Sequence, residues 1–147
     1  MMLYLGQMLT DKPKATAILD RDLIGFLTAV NESGQPQSAP VWFLRDVDDI
    51  VVYNRPTSPR LVSIAANPRV SLCVRGDIRA TGALILEGTA AVDGLPRADG
   101  FPGYIDKYGR EIERLGWTPA SFSEDYSEGL RITVTRVWSW GLDALGK

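Results

Sequence analysis

Five arginines stand between Arg55 and Arg79, with a single acid, Asp77, in the same stretch. A guanidinium fork can grip a phosphate or carboxylate through two parallel hydrogen bonds, so this stretch suits an anionic ligand. Two of the arginines bracket the start of a helix: Arg55 lies three residues before Ser58, and Arg60 two after it. Ser58 is a favoured N-cap type, and Pro59 suits the first helical position, where no amide partner is lost. Leu61, Ile64 and Ala65 follow at helical spacing. A helix start presents unpaired N–H groups and a partial positive charge, which favours an anion. The chemistry open to Arg55, Thr57, Ser58 and Arg60 is therefore phosphate binding. The same residues also fit an ordinary strand–loop–helix connection with two solvated arginines, and by themselves they leave both readings open.

Other chemistries are excluded more firmly. The chain has no histidine, which removes the Ser-His-Asp triad, the Cys-His pair and any histidine-based metal site. No carboxylate loop with metal-ligand spacing is recognisable, so no metal is expected. The single cysteine, Cys73, can form no intrachain disulfide. It sits beside Leu72 and Val74 in an apolar run and reads as a packed or half-buried thiol. No residue declares itself a general acid; Tyr104 and Tyr108 qualify by type only, and the catalytic residues stay unknown. A net charge of −2 gives no global signal for nucleic acid. No run reaches the roughly 20 apolar residues a membrane span needs. The N-terminal MMLYLGQML lacks the basic segment and the length of a signal peptide, so a cytoplasmic location is expected.

The elements that must position the arginines form one domain, residues 1–147, with ordinary globular composition of 45% hydrophobic and 23% charged residues. A first helix is expected over Asp11–Arg21 with Thr10 as its cap. Six strands follow: Ile24–Val30, Gln37–Leu44, Ile50–Asn54, Val70–Val74, Arg79–Val92 and Leu130–Trp140. Asn31–Gln35 with its Ser-Gly pair, Arg45–Asp49 and Gly76–Asp77 supply the turns. Pro40 marks an edge, a bulge or a loop-like opening in the second strand, and Gly82 and Gly88 mark bulges or close approaches in the fifth. Residues 93–128 change character and read as a helical insert with eight acids and four bases. Ile105, Tyr108, Ile112 and Leu115 keep helical spacing and Gly116 stops the helix. Thr118–Pro119 starts a second helix on which Phe122 and Tyr126 share a face. Residues 141–147 read as a frayed tail. Trp138 and Trp140 in the last strand suit core packing, a subunit interface or the wall of a ring pocket. Six strands with hairpin turns and a few helices predict a mainly β fold, an antiparallel barrel with helical decoration.

The run PVWFL, an acidic turn, and IVVYNRPTSPRLVSIAANPRVSL resembles the split β-barrel, FMN-binding family related to pyridoxamine 5′-phosphate oxidase. Within that family it is most similar to the branch that uses the deazaflavin coenzyme F-420. Arg60 falls where the family carries a basic phosphate ligand, and Ser58 where many members carry a Ser or Thr. Pro59 departs from the oxidases proper, which have a second basic residue there. The resemblance implies a six-stranded antiparallel split β-barrel that pairs as a homodimer, with the cofactor in a groove between subunits. Its ring would lie against Pro40, Val41 and Trp42, and its phosphate on the corner formed by Asn54, Arg55, Thr57, Ser58 and Arg60. Arg79 and Trp138 or Trp140 would come from the partner. The implied activity is hydride transfer between coenzyme F-420 and a small organic substrate. The deazaflavin's oligoglutamate tail would suit further cations such as Arg75 or Arg79. Alternatives are an FMN enzyme, either a flavin reductase or a pyridoxamine phosphate oxidase relative, and a non-catalytic flavin, deazaflavin or haem carrier. Haem is disfavoured by the lack of histidine.

Overall fold

The structure, a computed structural model, describes residues 9–77 and 79–145. Helix α1 (Pro13–Arg21) leads into β1 (Gly25–Val30), β2 (Pro36–Val41), β3 (Leu44–Asp46) and β4 (Asp49–Asn54). Helix α2 (Pro59–Ala66) is followed by β5 (Arg69–Gly76) and β6 (Ala83–Val92). The insert holds α3 (Tyr104–Arg114) and α4 (Pro119–Asp125), and the chain closes with β7 (Glu128–Trp140) and a helical turn α5 (Leu142–Leu145). The strands form one antiparallel sheet in the order β2-β1-β5-β6-β7-β4-β3.

The mainly β antiparallel class holds, but the sheet has seven strands rather than six, and it is not closed. The expected strand Gln37–Leu44 divides at Trp42–Phe43, and its halves run on opposite edges of the sheet. Three Cα steps from Val41 to Leu44 span at most about 11 Å, so the sheet must curl until its edges nearly meet. They do not pair with each other, and the gap between them is where the barrel is split. The break has a cause in the side chains. The Phe43 amide donates to the Tyr108 hydroxyl at 2.8 Å, and the Phe43 carbonyl accepts from Lys107 Nζ at 2.9 Å. Those backbone groups are taken by α3 and are lost to a strand ladder.

Other elements shift for local reasons. Helix α1 begins at Pro13 after Lys12, not at Asp11, because the Thr10 amide donates to the Asp48 carboxylate instead of opening a helix. The strand expected from Arg79 begins at Ala83, since the Asp77 carboxylate gathers the amides of Thr81 and Gly82 into a turn. Helices α3 and α4 form as expected, α4 with a full Thr118–Ser121 capping box. The expected tail contains α5, where Asp143 pairs with Lys14 at 2.5 Å. Residues 146–147, and the N-terminal run up to Met8, lie outside the described residues.

One bulge sets the outer face of the sheet. Glu87 pairs with Arg136 and Gly88 with Val134, which leaves Thr135 as an extra residue on β7. The inserted residue reverses the alternation. Leu130, Ile132 and Val134 point into the core, but beyond the bulge Val137 packs inward while Trp138 and Trp140 face out, 43% and 47% exposed. Gly88 permits this, because a Cβ there would lie 2.2 Å from the Thr133 carbonyl oxygen. The main core is aliphatic: Leu27, Leu72, Leu84, Leu86, Leu130 and Ile132 from the sheet meet Ile18 and Leu19 of α1 and Ile64 of α2.

Candidate cofactor and ligand site

The corner after β4 is built by the residues that end the strand. Asn54 is buried at 2% exposure, and its Nδ2 donates to the carbonyls of Val52 and Glu128, both at 3.1 Å. That anchoring turns Oδ1 outward, where it accepts from Arg60 Nη1 at 2.8 Å. Arg60 lies on the first turn of α2 and is half-buried. Burial pushes its pKa down from the ordinary arginine value. Among the described residues no carboxylate pairs with it. Ser58 is the N-cap, as expected, yet its hydroxyl makes no capping bond. A desolvated cation, an uncommitted hydroxyl and a helix start therefore share one corner, and that donor set fits an anion.

Two cavities meet at Arg60. The smaller, about 170 Å³, lies between β2 and α2, with Ser38, Ala39, Ser58 and Ser63 among its walls. The larger, about 380 Å³, opens from the Pro40–Trp42 backbone and runs under the insert, walled by Tyr53, Tyr104, Trp117, Phe122 and Tyr126. Such a volume, lined by aromatic side chains with a few polar groups, matches ordinary small-molecule sites. The walls are stacked. Trp42 lies on Tyr108 with centroids 4.7 Å apart and planes 10° apart, and on Phe122 at 5.4 Å. Phe122 stacks on Tyr126 at 4.8 Å, as their spacing on α4 required. Arg55, exposed, covers the outer face of Tyr126 with its guanidinium carbon 4.7 Å from the ring centre.

Helix α3 holds the floor in place. The Tyr108 hydroxyl accepts from the Phe43 amide and lies within hydrogen-bond reach of the carbonyls of Leu23 (2.8 Å) and Phe43 (2.7 Å). Lys107 Nζ donates to the carbonyls of Leu19 and Phe43, both at 2.9 Å, and sits over the Phe43 ring. Burial lowers the Lys107 pKa to about 8, against the opposing pull of Asp20 and Asp22. Burial raises the pKa of Tyr104 and Tyr108, and that of Tyr53 to about 12. Tyr108 is thus spent on structure. Among the described residues the Tyr104 hydroxyl has no hydrogen-bond partner.

The expected site residues fall into three groups. Pro40, Val41, Trp42 and Arg60 line the larger cavity, and Ser58 and Arg60 the smaller, with Asn54 behind them. Arg55 and Thr57 are exposed at the same corner. Arg79 lies in the β5–β6 turn and Trp138 on the outer face of the sheet, so one chain does not bring them to the corner. Arg75 is engaged by Asp22 through two bonds of 2.8 and 2.9 Å. Sequence reasoning missed Tyr53, Trp117, Phe122 and Tyr126 as cavity walls. A signal was present: six aromatic residues fall between Phe101 and Tyr126, more than a short helical cover needs. Among the described residues no cluster of three or more Cys, Asp or Glu could hold a metal ion.

A family model for pyridoxamine 5′-phosphate oxidase matches residues 11–141. The chain belongs to that family. No curated protein matches it. Among solved structures it is similar to an F420 reductase at 26% identity and a TM-score of 0.60, covering 86% of this chain and 94% of that one. It is also similar to a conserved hypothetical protein of Mycobacterium tuberculosis at 21% identity and a TM-score of 0.73, covering 96% and 91%. A third likeness is to HutZ, the haem storage protein of Vibrio cholerae, at 15% identity and a TM-score of 0.63, covering 88% and 94%. At 21% and 15% identity the last two likenesses speak for the fold alone.

Proposed function

We propose that the protein is an oxidoreductase that binds a phosphate-bearing flavin-type cofactor, coenzyme F-420 in the first instance, and passes hydride between it and a small organic substrate. The observation that carries this reading is Arg60: a half-buried guanidinium held by a neutral amide, with no carboxylate among the described residues to neutralise it. Burying such a charge is unfavourable unless an anion completes the site. Ser58, Thr57 and Arg55 stand beside it to share the phosphate. Pro40, Val41 and Trp42 offer the surface for the ring. The cofactor, when bound, supplies the hydride chemistry. The chain's own residues bind the phosphate, orient the ring and exclude water with the walls of the insert.

Coenzyme F-420 is favoured over FMN by the likeness to the F420 reductase and by the exposed cations Arg55 and Arg79, which suit a longer anionic tail. The alternative is an FMN-dependent flavin reductase or a pyridoxamine 5′-phosphate oxidase-like enzyme; a non-catalytic carrier would use the same corner without the chemistry. A homodimer is part of the reading. Phe26, Cys73, Ile85 and Trp138 align across four strands on the outer face of the sheet, with Phe26 52% exposed, and a second copy would cover them. That copy would bring its own Trp138 and Arg79. Among the described residues no helix is long and apolar enough to cross a membrane, in keeping with a cytoplasmic enzyme on small molecules.

The test is a titration of the purified apo-protein with F-420 and with FMN, followed by fluorescence quenching, with light scattering to report the mass. Tighter binding of F-420 by a dimer is expected. Binding of neither cofactor would overturn the reading. Bound, reduced cofactor that passes no hydride to a broad panel of enones and quinones would favour a carrier.

A further inference from the structure

Among the described residues four arginines are partly buried, and three of them are clasped by carboxylates. Arg45 takes both oxygens of Asp20 at 2.9 Å, and Arg75 both oxygens of Asp22 at 2.8 and 2.9 Å. Arg131 bonds Asp46, Asp49 and Asp93. Arg60 is the fourth. Its guanidinium has one hydrogen-bond partner among the described residues, the amide oxygen of Asn54. That amide has no freedom to turn. Its Nδ2 donates to two carbonyls, that of Val52 on its own strand and that of Glu128, where the chain returns from the insert into β7. The end facing those carbonyls must be the NH2 group, which leaves Oδ1 as the acceptor for Arg60. Asn54 is buried and lines neither cavity at the corner, so it acts on a ligand only through Arg60. The bond to Asp20 holds the Arg45 pKa above its ordinary value, whereas burial lowers that of Arg60.

We propose that Asn54 sets the charge selectivity of this corner: it holds Arg60 through a neutral oxygen, so the guanidinium keeps its whole charge for a multiply charged anion. A carboxylate of the same size would grip the guanidinium more strongly, as Asp20 and Asp22 grip theirs. It would also cancel the cation and repel the ligand. Holding the Val52 and Glu128 carbonyls needs only Nδ2; the oxygen is left over, and it steadies Arg60 without neutralising it. An uncancelled cation in a half-buried corner favours a group with two negative charges over a neutral group of the same shape. The inference rests on the reading of the corner as an anion site, and it names the residue that gives that site its charge.

The full-length protein is titrated with inorganic sulfate at pH 7 and low ionic strength, and the affinity is read from the amide shifts of Ser58 and Arg60. Sulfate keeps both its charges near neutrality, so the probe itself does not titrate. Asn54→Asp is expected to bind sulfate about thirtyfold more weakly than the wild-type protein, the loss of a charge-assisted contact. Asn54→Ser, neutral but too short to reach Arg60, is expected to stay within about fivefold of the wild type. If Asn54 merely fixes Arg60 in place, the order reverses: the Asp variant keeps the affinity and the Ser variant loses it. That reversal overturns the proposal. A loss of more than about fivefold in folded Asn54→Ser also overturns it, and decides the matter by itself if Asn54→Asp does not fold. A wild-type protein that takes up no sulfate removes the corner as an anion site, and this inference with it. Wild-type uptake with the reversed order removes this inference alone, so the two failures are distinguishable.

Discussion

The molecule has two cores, and they are made of different things. Under α1 and α2 the sheet packs Leu, Ile and Val, and among the described residues this core has one aromatic, Phe43, and no titratable side chain. Under α3 and α4 the second core is built from Tyr53, Tyr104, Tyr108 and Phe122, with Trp42, Trp117 and Tyr126 beside them, and it keeps a cavity of about 380 Å³. A close-packed aliphatic core is what a stable fold requires. An aromatic core that leaves space and unbonded donors is poorly explained by stability alone. The arginines repeat the contrast. Arg131 bonds the carboxylates of Asp46, Asp49 and Asp93 on the sheet, whereas Arg60 bonds one neutral amide. The presence of an arginine says little; the partners it already has say whether it is waiting for a ligand.

If the two cores divide stability from function, truncation in the first should act on folding alone. Leu86→Ala removes a side chain 1% exposed and should lower the free energy of unfolding by about 2–5 kcal/mol, the usual range for a buried leucine. Denaturant titration reads the loss, and cofactor affinity measured well below the transition should not change. A weakened affinity in the folded variant would break the division. Arg60→Ala should do the reverse: cofactor binding weakens by about 1.5–3 kcal/mol while stability scarcely moves. Arg131→Ala is its control. It should lower stability by about 1 kcal/mol, as for a partly exposed ion-pair network, and leave cofactor affinity unchanged.

Much of this division could be read from the chain, and the gaps have physical causes. Most of the strand runs, the start of α2 at Ser58–Pro59, the α4 cap and the pairing of Phe122 with Tyr126 follow from local spacing and appear where spacing put them. The break at Trp42–Phe43 did not, because it depends on Tyr108 and Lys107, more than 60 residues away, taking the Phe43 backbone. The outward turn of Trp138 depends on a bulge opposite Gly88; the glycine was visible, but the register that gives it meaning was not. At the site, the arginine corner was legible by residue type. The cavity walls were not, since Tyr53 comes from β4 and Tyr126 from the end of α4, and only the tertiary fold sets them face to face.

Alkaline pH provides a sharper cut, because the shifted tyrosines and lysine sit in or beside the aromatic core. Tyr53, Tyr104 and Tyr108 are raised above their ordinary value near 10 by burial. The unfolded chain therefore releases these protons first, and stability present below pH 10 is lost as pH climbs towards and past 12. Each tyrosine contributes at most about 1.4 kcal/mol per pH unit in that window. Lys107 has the opposite sign. Its pKa falls to about 8 on folding, so the unfolded state holds the extra proton between pH 8 and about 10.5, and stability rises there. The expected profile climbs from pH 8 and turns down above 10. Lys107→Met should flatten the climb. An unchanged climb in that variant would assign it to another group.

The smallest expected effect lies outside both cores, and it tests whether stability can be raised without touching either. Val47 tips the hairpin between β3 and β4 with φ of +59°, a region that disfavours a β-branched residue, and its side chain is 63% exposed. Such strain costs of order 1–3 kcal/mol, whereas a glycine there returns roughly 0.5–1 kcal/mol of that as extra freedom in the unfolded chain. Val47→Gly should therefore stabilise the protein by about 1 kcal/mol. The Arg45 guanidinium reaches the Val47 carbonyl, not its side chain, so that bond survives the change. Cofactor affinity should be identical to that of the wild-type chain. A melting temperature that stays level or drops would mean that the valine packs against something that holds the hairpin, and the turn would then belong to the sheet core after all.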